Sequence, residues 1–319
     1  MSAQSADAIL VLGMHRSGTS ALTRVLNLLG ADLPEELIPA NRFNRSGYWE
    51  PSQVVALNDH WLNSVKSAWD APYKGRDALE AKLPSNAVRR AANTVKEAYG
   101  ADHALIAIKD PRCTLFSDTW RAGIERADYV PRQLLIYRDA AEVAQSLARR
   151  DGFSDDEAGL LWCWYGLKAL TAIRDEGGVV VAYSDLRNDW RSVIKTIQAE
   201  WKLAALSVTQ AREKAVDAFL TEPNSRPEAN FSASVQSLIN RVGALYQSAV
   251  RGENLDGIEA LLEDADRLSG VARSAVLRLR KAGDVSLKAA LKERDVAREA
   301  LSEVEEALTA ERDEARQTL

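Results

Sequence analysis

A glycine-rich loop near the start of the chain decides the fold class, and it reads Gly13-Met14-His15-Arg16-Ser17-Gly18-Thr19-Ser20. A continuous apolar run at 8–12 precedes this loop, and residues 20–29 follow it with apolar side chains at helical spacing. Buried parallel strands are apolar throughout, whereas apolar residues three and four positions apart form one face of a helix. The order of strand, tight turn and helix therefore predicts the first unit of an α/β domain.

Three further apolar runs, at 104–108, 133–137 and 179–183, each end in polar residues. Helical patterns separate these runs, at 53–67, 86–99, 141–149 and 157–175. Strands that alternate with helices predict an α/β fold with three α/β/α layers around a mostly parallel central sheet. Such sheets bind ligands at the carboxyl ends of their strands. We expect a cluster of aromatic residues to lie in the core, namely Trp61, Trp69, Trp162, Trp164 and Tyr165.

The loop has the composition of a phosphate-binding turn. Backbone N–H groups at a helix N-terminus attract phosphate, and Gly13 and Gly18 allow the chain to turn tightly and approach the ligand closely. Arg16 adds a permanent positive charge with several donors. Hydroxyl donors come from Ser17, Thr19 and Ser20.

The spacing of the loop matches the nucleotide-binding P-loop, G-x-x-x-x-G-K-[ST], with one departure. Thr19 occupies the position of the lysine that nucleoside triphosphate enzymes use on the β and γ phosphates. Asp110 closes an apolar strand, where such enzymes hold magnesium. A phosphotransferase that uses ATP and magnesium therefore stays open as an alternative, as does a turn that binds no ligand.

A second polar pair follows the third strand. Ser146 lies eight residues after Arg138, which places it about two turns into the next helix. An arginine and a hydroxyl that converge in this way can bind a terminal phosphate. An Arg-Asp turn at a strand end, here Arg138-Asp139, is also typical of a surface ion pair, so the pair alone is ambiguous.

Taken together, the loop at 13–20, the segment Tyr137-Arg138-Asp139 and Ser146 resemble the sulfotransferase family. The resemblance covers about 8–230. It implies that His15, Arg16, Ser17, Gly18, Thr19 and Ser20 bind the 5′-phosphosulfate of 3′-phosphoadenosine-5′-phosphosulfate (PAPS). It also implies that Arg138 and Ser146 bind the 3′-phosphate, and that no metal is needed. The His-Arg-Ser-Gly-Thr-Ser loop is similar to the loop of the family branch that modifies glycans or protein tyrosines.

Three supporting segments strengthen the resemblance: Ile108-Lys109-Asp110-Pro111-Arg112, Gly47-Tyr48-Trp49-Glu50-Pro51 and Ala182-Tyr183-Ser184-Asp185-Leu186. The first is similar to a Lys-Asp-Pro motif near the sulfuryl group, and the second to a segment common in bacterial members. The third departs from the family's Tyr-Glu-Asp-Leu at Ser184. Sulfuryl transfer needs stabilisation of the charge that moves to the leaving phosphate, and we expect Arg16 and Lys109 to supply it.

The catalytic base is an open choice among Glu50, Glu36 and His60, which lie between the loop and the second strand. Glu50 is favoured because its apolar neighbours Tyr48 and Trp49 would raise its pKa. It could instead be a carboxylate at the start of the helix near Gln53. The predicted acceptor is a carbohydrate hydroxyl, with tyrosine and lipid-linked acceptors as alternatives.

Composition places the chain among globular proteins. Of its 319 residues, 46% are hydrophobic and 27% are charged, which is typical of a packed domain. A net charge of −5 gives no support to a nucleic-acid partner. Two cysteines, Cys113 and Cys163, do not make a disulfide framework. With neither a signal-peptide pattern nor a membrane-length apolar run, we expect a cytoplasmic protein.

The C-terminal part of the chain differs in composition. From 286 to 319 it lacks Pro, Gly and aromatic residues, and apolar residues alternate at three- and four-residue steps. The pattern predicts a coiled-coil helix over 281–319 that forms a homo-oligomer, with a single solvated helix as the alternative. We expect an α/β domain over 1–280, with a helical extension at 231–280. A nucleotide-binding scaffold without catalysis is a third functional hypothesis, and continuation of the chain beyond 319 is left open.

Overall fold

The structure of the chain is a computed structural model that describes residues 6–70, 79–221 and 229–282, with side chains described as far as 270. Residues Met1–Ser269 form one compact unit, and the site described below lies within it. The heptad-like pattern at 286–319 lies outside the described residues. Within the described ranges, no helix is long and apolar enough to cross a bilayer.

The described part of the chain contains one parallel sheet of four strands. They are β1 (Ala6–Leu12), β2 (Leu105–Lys109), β3 (Tyr129–Tyr137) and β4 (Val179–Ala182), in the order β2-β1-β3-β4. The apolar residues of β1 at 8–12 are fully buried, because this strand is central and covered on both faces. The four predicted strands and their parallel pairing are therefore confirmed.

One strand is longer than its apolar run predicts. β3 begins at Tyr129, four residues before the predicted start at Gln133, because β1 pairs with it from Ala6 onwards. β3 pairs with β4 only from Leu134. Pro131 thus lies where one edge of β3 is unpaired, which is where a sheet tolerates a residue without an N–H donor.

The helices follow the strands in an alternating order. They are α1 (Thr19–Leu29), α2 (Ser52–Ser64), α3 (Ala87–Tyr99), α4 (Ser117–Arg126), α5 (Ala140–Asp151), α6 (Asp155–Glu176), α7 (Tyr183–Asn188), α8 (Trp190–Trp201), α9 (Gln210–Phe219), α10 (Ala233–Val250) and α11 (Ile258–Ala282). Short 3₁₀ helices occupy Glu80–Lys82 and Pro111–Phe116. The sequence did not predict α4, whose polar sequence buries only Trp120 and Ile124 among its large side chains. Packing stabilises it instead, since Gly123 lies so close to α3 that a Cβ there would be 2.4 Å from Ala91.

Helices cover both faces of the sheet. On one face, α1, α8 and α9 pack with alternate strand residues such as Ile9 and Ile136 in one buried apolar cluster. On the other face, α4 and α6 contact β3. The predicted three-layer α/β/α arrangement is therefore confirmed, and both surfaces of the sheet are removed from solvent. Its carboxyl-terminal edge is where functional groups can gather.

One half-buried carboxylate in this fold gives a stability prediction. Glu80 accepts a hydrogen bond of 3.0 Å from the backbone N–H of Thr119, at the start of α4. Burial raises the pKa of Glu80 to about 7, and Asp118 adds to the rise while the Thr119 hydrogen bond opposes it. The folded protein thus keeps a proton on Glu80 at pH values where the unfolded chain has released it. Stability is lost as pH rises from the ordinary carboxyl range towards 7.

The substitution Glu80→Gln is therefore expected to raise the free energy of unfolding above pH 7, by at most about 3 kcal/mol, with little effect near pH 4.5. Glutamine keeps an acceptor for Thr119 but carries no charge. Urea unfolding across this pH range measures the difference. Glu97→Gln, at an exposed position on α3, is the matched control. A difference between Glu80→Gln and the wild type that does not change with pH would contradict the account.

Candidate functional site

The register of the sheet brings three strand ends together. Val11 lies opposite Lys109 on one side, and Leu12 lies opposite Leu135 on the other. Where β3 pairs with β4, Tyr137 lies opposite Ala182. The loop that follows β1 therefore emerges between the end of β2, which carries Lys109, and the end of β3, which precedes Arg138.

Two glycines in the loop are required by its geometry. Gly13 has φ +144° and donates its N–H to Thr114 Oγ1 at 3.0 Å, and a Cβ there would lie 2.4 Å from the Ile136 carbonyl oxygen. Gly18 has φ +94°, and a Cβ there would lie 2.2 Å from the ring of Tyr183. Larger residues would push the loop away from β3 and from Tyr183. The loop thus keeps its backbone next to the strand ends, as a phosphate-binding turn requires.

A cavity of about 500 Å³ opens above the loop. Among the described residues, its walls carry six positively charged side chains against two carboxylates, Glu50 and Asp151. The six are Arg16, Lys109, Arg112, Arg138, Arg150 and Arg187. Because the cavity walls are low in dielectric and mostly of one sign, they favour a ligand with several negative charges.

The structure brings most of the predicted site residues to this cavity. Those that line it are His15, Arg16, Gly18, Thr19, Ser20, Glu50, Lys109 and Arg138. Ser17 is also part of the loop but does not line the cavity. It is 1% exposed, and its backbone N–H donates to the Met14 carbonyl at 3.2 Å. Ser146 is also buried and reaches the site through Arg16.

Lys109 lies at the centre of a buried polar cluster. Its side chain is 1% exposed, and Nζ donates to Glu50 Oε1 at 2.6 Å and to Ser20 Oγ and the Tyr48 carbonyl at 3.0 Å each. The ammonium group thus fastens the segment around Glu50 to the start of α1. Its three N–H donors are all used, so any ligand it binds must share or replace one of these partners.

Of the three candidates for a base, only Glu50 lines the cavity. Burial raises the pKa of Glu50, and Asp110 adds to the rise, while Lys109 and Arg112 act in the opposite direction. Because the carboxylate is almost fully buried, the effect of burial is the largest and the pKa of Glu50 is raised overall. Glu36 and His60 are both exposed, and Glu36 accepts a hydrogen bond of 3.0 Å from Gln53.

Arg16 and Arg138 have different partners from those that the sequence suggests. Arg16 has φ +68° and donates from Nε to Ser146 Oγ at 2.8 Å. Arg138 instead pairs with Glu142 on the first turn of α5, and its Cζ lies 4.6 Å from the ring centroid of Tyr183. The described contacts therefore do not show the expected convergence of Arg138 with Ser146, since the Ser146 hydroxyl accepts from Arg16 and Arg138 pairs with Glu142.

Asp139 explains how α5 is held in place. Its Oδ1 accepts hydrogen bonds from the backbone N–H groups of Ala141 at 2.9 Å and Glu142 at 3.1 Å. A side chain that caps a helix in this way fixes where the helix begins. This cap, rather than a surface ion pair with Arg138, is the role of Asp139.

Asp110, the possible magnesium ligand, has both carboxylate oxygens engaged. Oδ1 accepts from Arg112 Nε at 2.9 Å and from the Arg112 backbone at 3.1 Å, while Oδ2 accepts from Asn58 Nδ2 at 2.8 Å. Asp110 is fully buried and positions Arg112 at the cavity wall. Over the part of the chain that the structure describes, no group of three or more His, Cys, Asp or Glu side chains could hold a metal ion.

Sequence reasoning missed one wall of the cavity. Trp69 was expected in the core, but it lines the cavity, where its ring centroid lies 4.4 Å from that of His15. Arg150 lies over the same tryptophan, with Cζ 5.3 Å from the ring centroid. The available signal was weak: Arg150 follows Ser146 by four residues, so it faces the same side of α5. Nothing in the sequence indicated that Trp69 lies beside it.

Comparison with known proteins gives low-level similarity only. No protein-family model matches the chain, and no curated protein matches it. Among solved structures, it is similar to the sulfotransferase domain of the Synechococcus PCC 7002 olefin synthase, with 17% identity and a TM-score of 0.42 over 86% of this chain and 97% of that one. It is also similar to the sulfotransferase domain of the curacin biosynthetic pathway, with 14% identity and a TM-score of 0.38 over 85% and 99%. Identity this low leaves the functional assignment to the cavity itself.

Proposed function

We propose that this chain is a sulfotransferase that transfers a sulfuryl group from PAPS to an acceptor hydroxyl. The cavity at the carboxyl edge of the sheet is the observation that carries the proposal. It joins a glycine-bounded loop that lacks the P-loop lysine to a buried Lys109 and two further arginines, Arg16 and Arg138. Among the described residues that line the cavity, fixed positive charge exceeds negative charge, which suits a donor with several anionic groups.

The donor needs two anionic subsites, and the cavity offers both. Backbone N–H groups at the start of α1, with Thr19 and Ser20, would bind the 5′-phosphosulfate, and Arg16 would neutralise it. Arg138 would bind the 3′-phosphate. Among the described residues its only ion-pair partner is Glu142, through Nε, which leaves its terminal amino groups for a ligand. Ser146 would position Arg16 between the two subsites.

The reaction is an in-line displacement at sulfur. The acceptor oxygen forms a bond to sulfur while the bond from sulfur to the 5′-phosphate oxygen breaks. Glu50 takes the acceptor proton, and Lys109 and Arg16 stabilise the charge that develops on the leaving phosphate. The Lys109–Glu50 contact of 2.6 Å places the base and the cation side by side. Glu50 can then receive the acceptor proton while Lys109 faces the leaving phosphate.

We propose a carbohydrate as the acceptor because one wall of the cavity is lined with hydrogen-bonding side chains. Asn41, Asn44, Ser46 and Tyr48 lie there, and Tyr48 donates its hydroxyl hydrogen to Asn41 Oδ1 at 2.9 Å. Amide and hydroxyl groups of this kind both donate and accept, which suits a ligand with several hydroxyls.

Transfer of ³⁵S from labelled PAPS tests the function. Purified protein is incubated with donor and a panel of glycan acceptors in the presence of EDTA, and labelled product is separated from donor. We expect transfer that EDTA leaves unchanged. Phosphoryl transfer from ATP that requires magnesium, with no transfer of label from PAPS, would favour the phosphotransferase instead. Donor binding without turnover on any acceptor would favour the scaffold.

We further propose that 281–319 forms a coiled coil that joins copies of the chain, on the apolar spacing of its sequence. Light scattering of the full chain is then expected to give a mass at least twice 35.1 kDa, which falls to the monomer mass when 286–319 is deleted. A monomer at every concentration of the full chain would contradict this proposal and would leave the catalytic one untouched.

A further inference from the structure

The described lining of the cavity contains more basic side chains than the proposed donor contacts use. Arg16, Lys109 and Arg138 are assigned to PAPS, and Arg112 is neutralised by Asp110 and Asp59. Arg150 and Arg187 are not assigned to the donor, and within the described ranges Arg150 has one acidic partner, Asp151, where Arg112 has two. Since Arg187 belongs to α7, which begins with the Tyr183 that Arg138 faces, it lies towards the nucleotide end. Arg150 has no such explanation.

Arg150 lies in the last turn of α5 and its side chain is 15% exposed. Its Nε donates to Asp151 Oδ2 at 2.7 Å, and its Cζ lies over Trp69. Among the described residues this is its only hydrogen-bond partner, so both terminal amino groups remain for a ligand in the cavity. A guanidinium that is fixed on an aromatic face and has free donors is suited to a planar anion such as a carboxylate.

Aromatic residues surround Trp69 on this wall of the cavity. The Tyr165 hydroxyl donates to the Trp69 carbonyl at 2.9 Å, and the Phe153 ring centroid lies 5.9 Å from that of Trp69. His15 packs on the tryptophan, and burial together with Arg150, Arg112 and Lys109 lowers its pKa well below the usual value. His15 is therefore neutral, so Arg150 is the charged group of this wall apart from Asp151.

This wall lies on the side of the cavity where the acceptor is expected. The nucleotide end is marked by Arg138 and Tyr183, which also contacts Gly18. Arg150 lies eight residues after Glu142, the partner of Arg138, which places it about two turns further along α5 from the nucleotide end, and the charges that act on His15 include Lys109, the partner of Glu50. A group held by Arg150 can therefore be part of a molecule whose hydroxyl reaches Glu50.

We propose that Arg150, supported by Trp69, binds an anionic group of the acceptor, so that the substrate is an acidic sugar whose carboxylate lies near the hydroxyl that is sulfated. This inference rests on the proposed function and names its substrate class. The negative group orients the sugar and selects one hydroxyl for transfer. Neutral sugars would lack this contact and would bind less tightly.

A matched pair of ligands tests the inference without knowledge of the natural acceptor. The two compounds, 4-nitrophenyl β-D-glucuronide and 4-nitrophenyl β-D-glucoside, differ only at C6, which is a carboxylate in the first and a hydroxymethyl group in the second. Each is titrated calorimetrically into protein saturated with 3′-phosphoadenosine-5′-phosphate (PAP). We expect the glucuronide to bind about tenfold more tightly or better, the range for a hydrogen bond to a charged group. Arg150→Gln should remove this preference, and Arg149→Gln, at the exposed neighbouring position, should keep it.

Three results would overturn the inference. One is equal affinity for the two glycosides, and another is no binding of the glucuronide to the PAP-saturated protein. The third is a loss of PAP affinity in Arg150→Gln, which would assign Arg150 to the donor. If PAP itself does not bind the wild type, the proposed function fails, and the same titration on the free protein then tests the anion subsite separately.

Discussion

Replacing Glu50 with glutamine is expected to lower kcat by about 10²- to 10⁴-fold, the usual contribution of a positioned acid–base group. PAP affinity should change little, because glutamine keeps the size of the side chain and an oxygen that can accept from Lys109. Turnover of labelled PAPS and calorimetry with PAP give the two quantities separately. A loss of affinity as large as the loss of kcat would show that Glu50 only supports the donor site.

The pH dependence of kcat/KM in the wild type is a second test of whether Glu50 acts as the base. Glu50 must be deprotonated to act as a base, so kcat/KM should rise as pH increases through its pKa. Burial raises that pKa, so the rise should occur above the ordinary carboxyl range. The Glu50→Gln variant should lose this rise of kcat/KM with pH. The control Glu36→Gln, at an exposed position outside the cavity, should keep both the rise of kcat/KM with pH and the wild-type kcat.

Replacing Lys109 with methionine is expected to damage both stability and catalysis. Methionine fills the space but leaves the buried Glu50 without its cation, and breaking a buried ion pair in this way costs about 3–5 kcal/mol. The loss of charge at the leaving phosphate should also lower kcat by about 10²- to 10³-fold. Urea unfolding and turnover of PAPS measure the two effects.

The double variant Glu50→Gln, Lys109→Met separates these contributions. It removes both charges, so it should recover most of the stability that Lys109→Met loses while staying inactive. Equal stability of the single and double variants would contradict the view that the two side chains form a coupled pair. Recovery of activity in the double variant would contradict their catalytic roles.

The sheet could be predicted from the sequence because its signal is local. Each strand is a short apolar run, and the polar residues that end the runs, such as Lys109 and Arg138, mark the edge where the cavity lies. The extension of β3 back to Tyr129 was not predicted, because it depends on pairing with β1. α4 was not predicted because its contacts with α3, and not its own sequence pattern, stabilise it.

Most residues predicted for the site line the cavity, but their hydrogen-bond partners were not predicted. The loop and Lys109 belong to short motifs, so sequence patterns identify them. The partner of Arg16 is Ser146, 130 residues away, and the partner of Lys109 is Glu50, 59 residues away. These contacts depend on how strands and loops pack in three dimensions. The wall formed by Trp69 and Arg150 joins two such distant segments, and no local pattern reveals it.

The measurement that tests the central claim most directly is calorimetric titration with PAP, with and without magnesium, on the wild type, Arg138→Ala and the control Arg149→Ala. The account predicts binding that does not depend on magnesium, is weakened by about 2–5 kcal/mol in Arg138→Ala, and is unchanged in the control. Absence of PAP binding, together with binding of ATP that requires magnesium, would contradict the sulfotransferase assignment and favour a phosphotransferase.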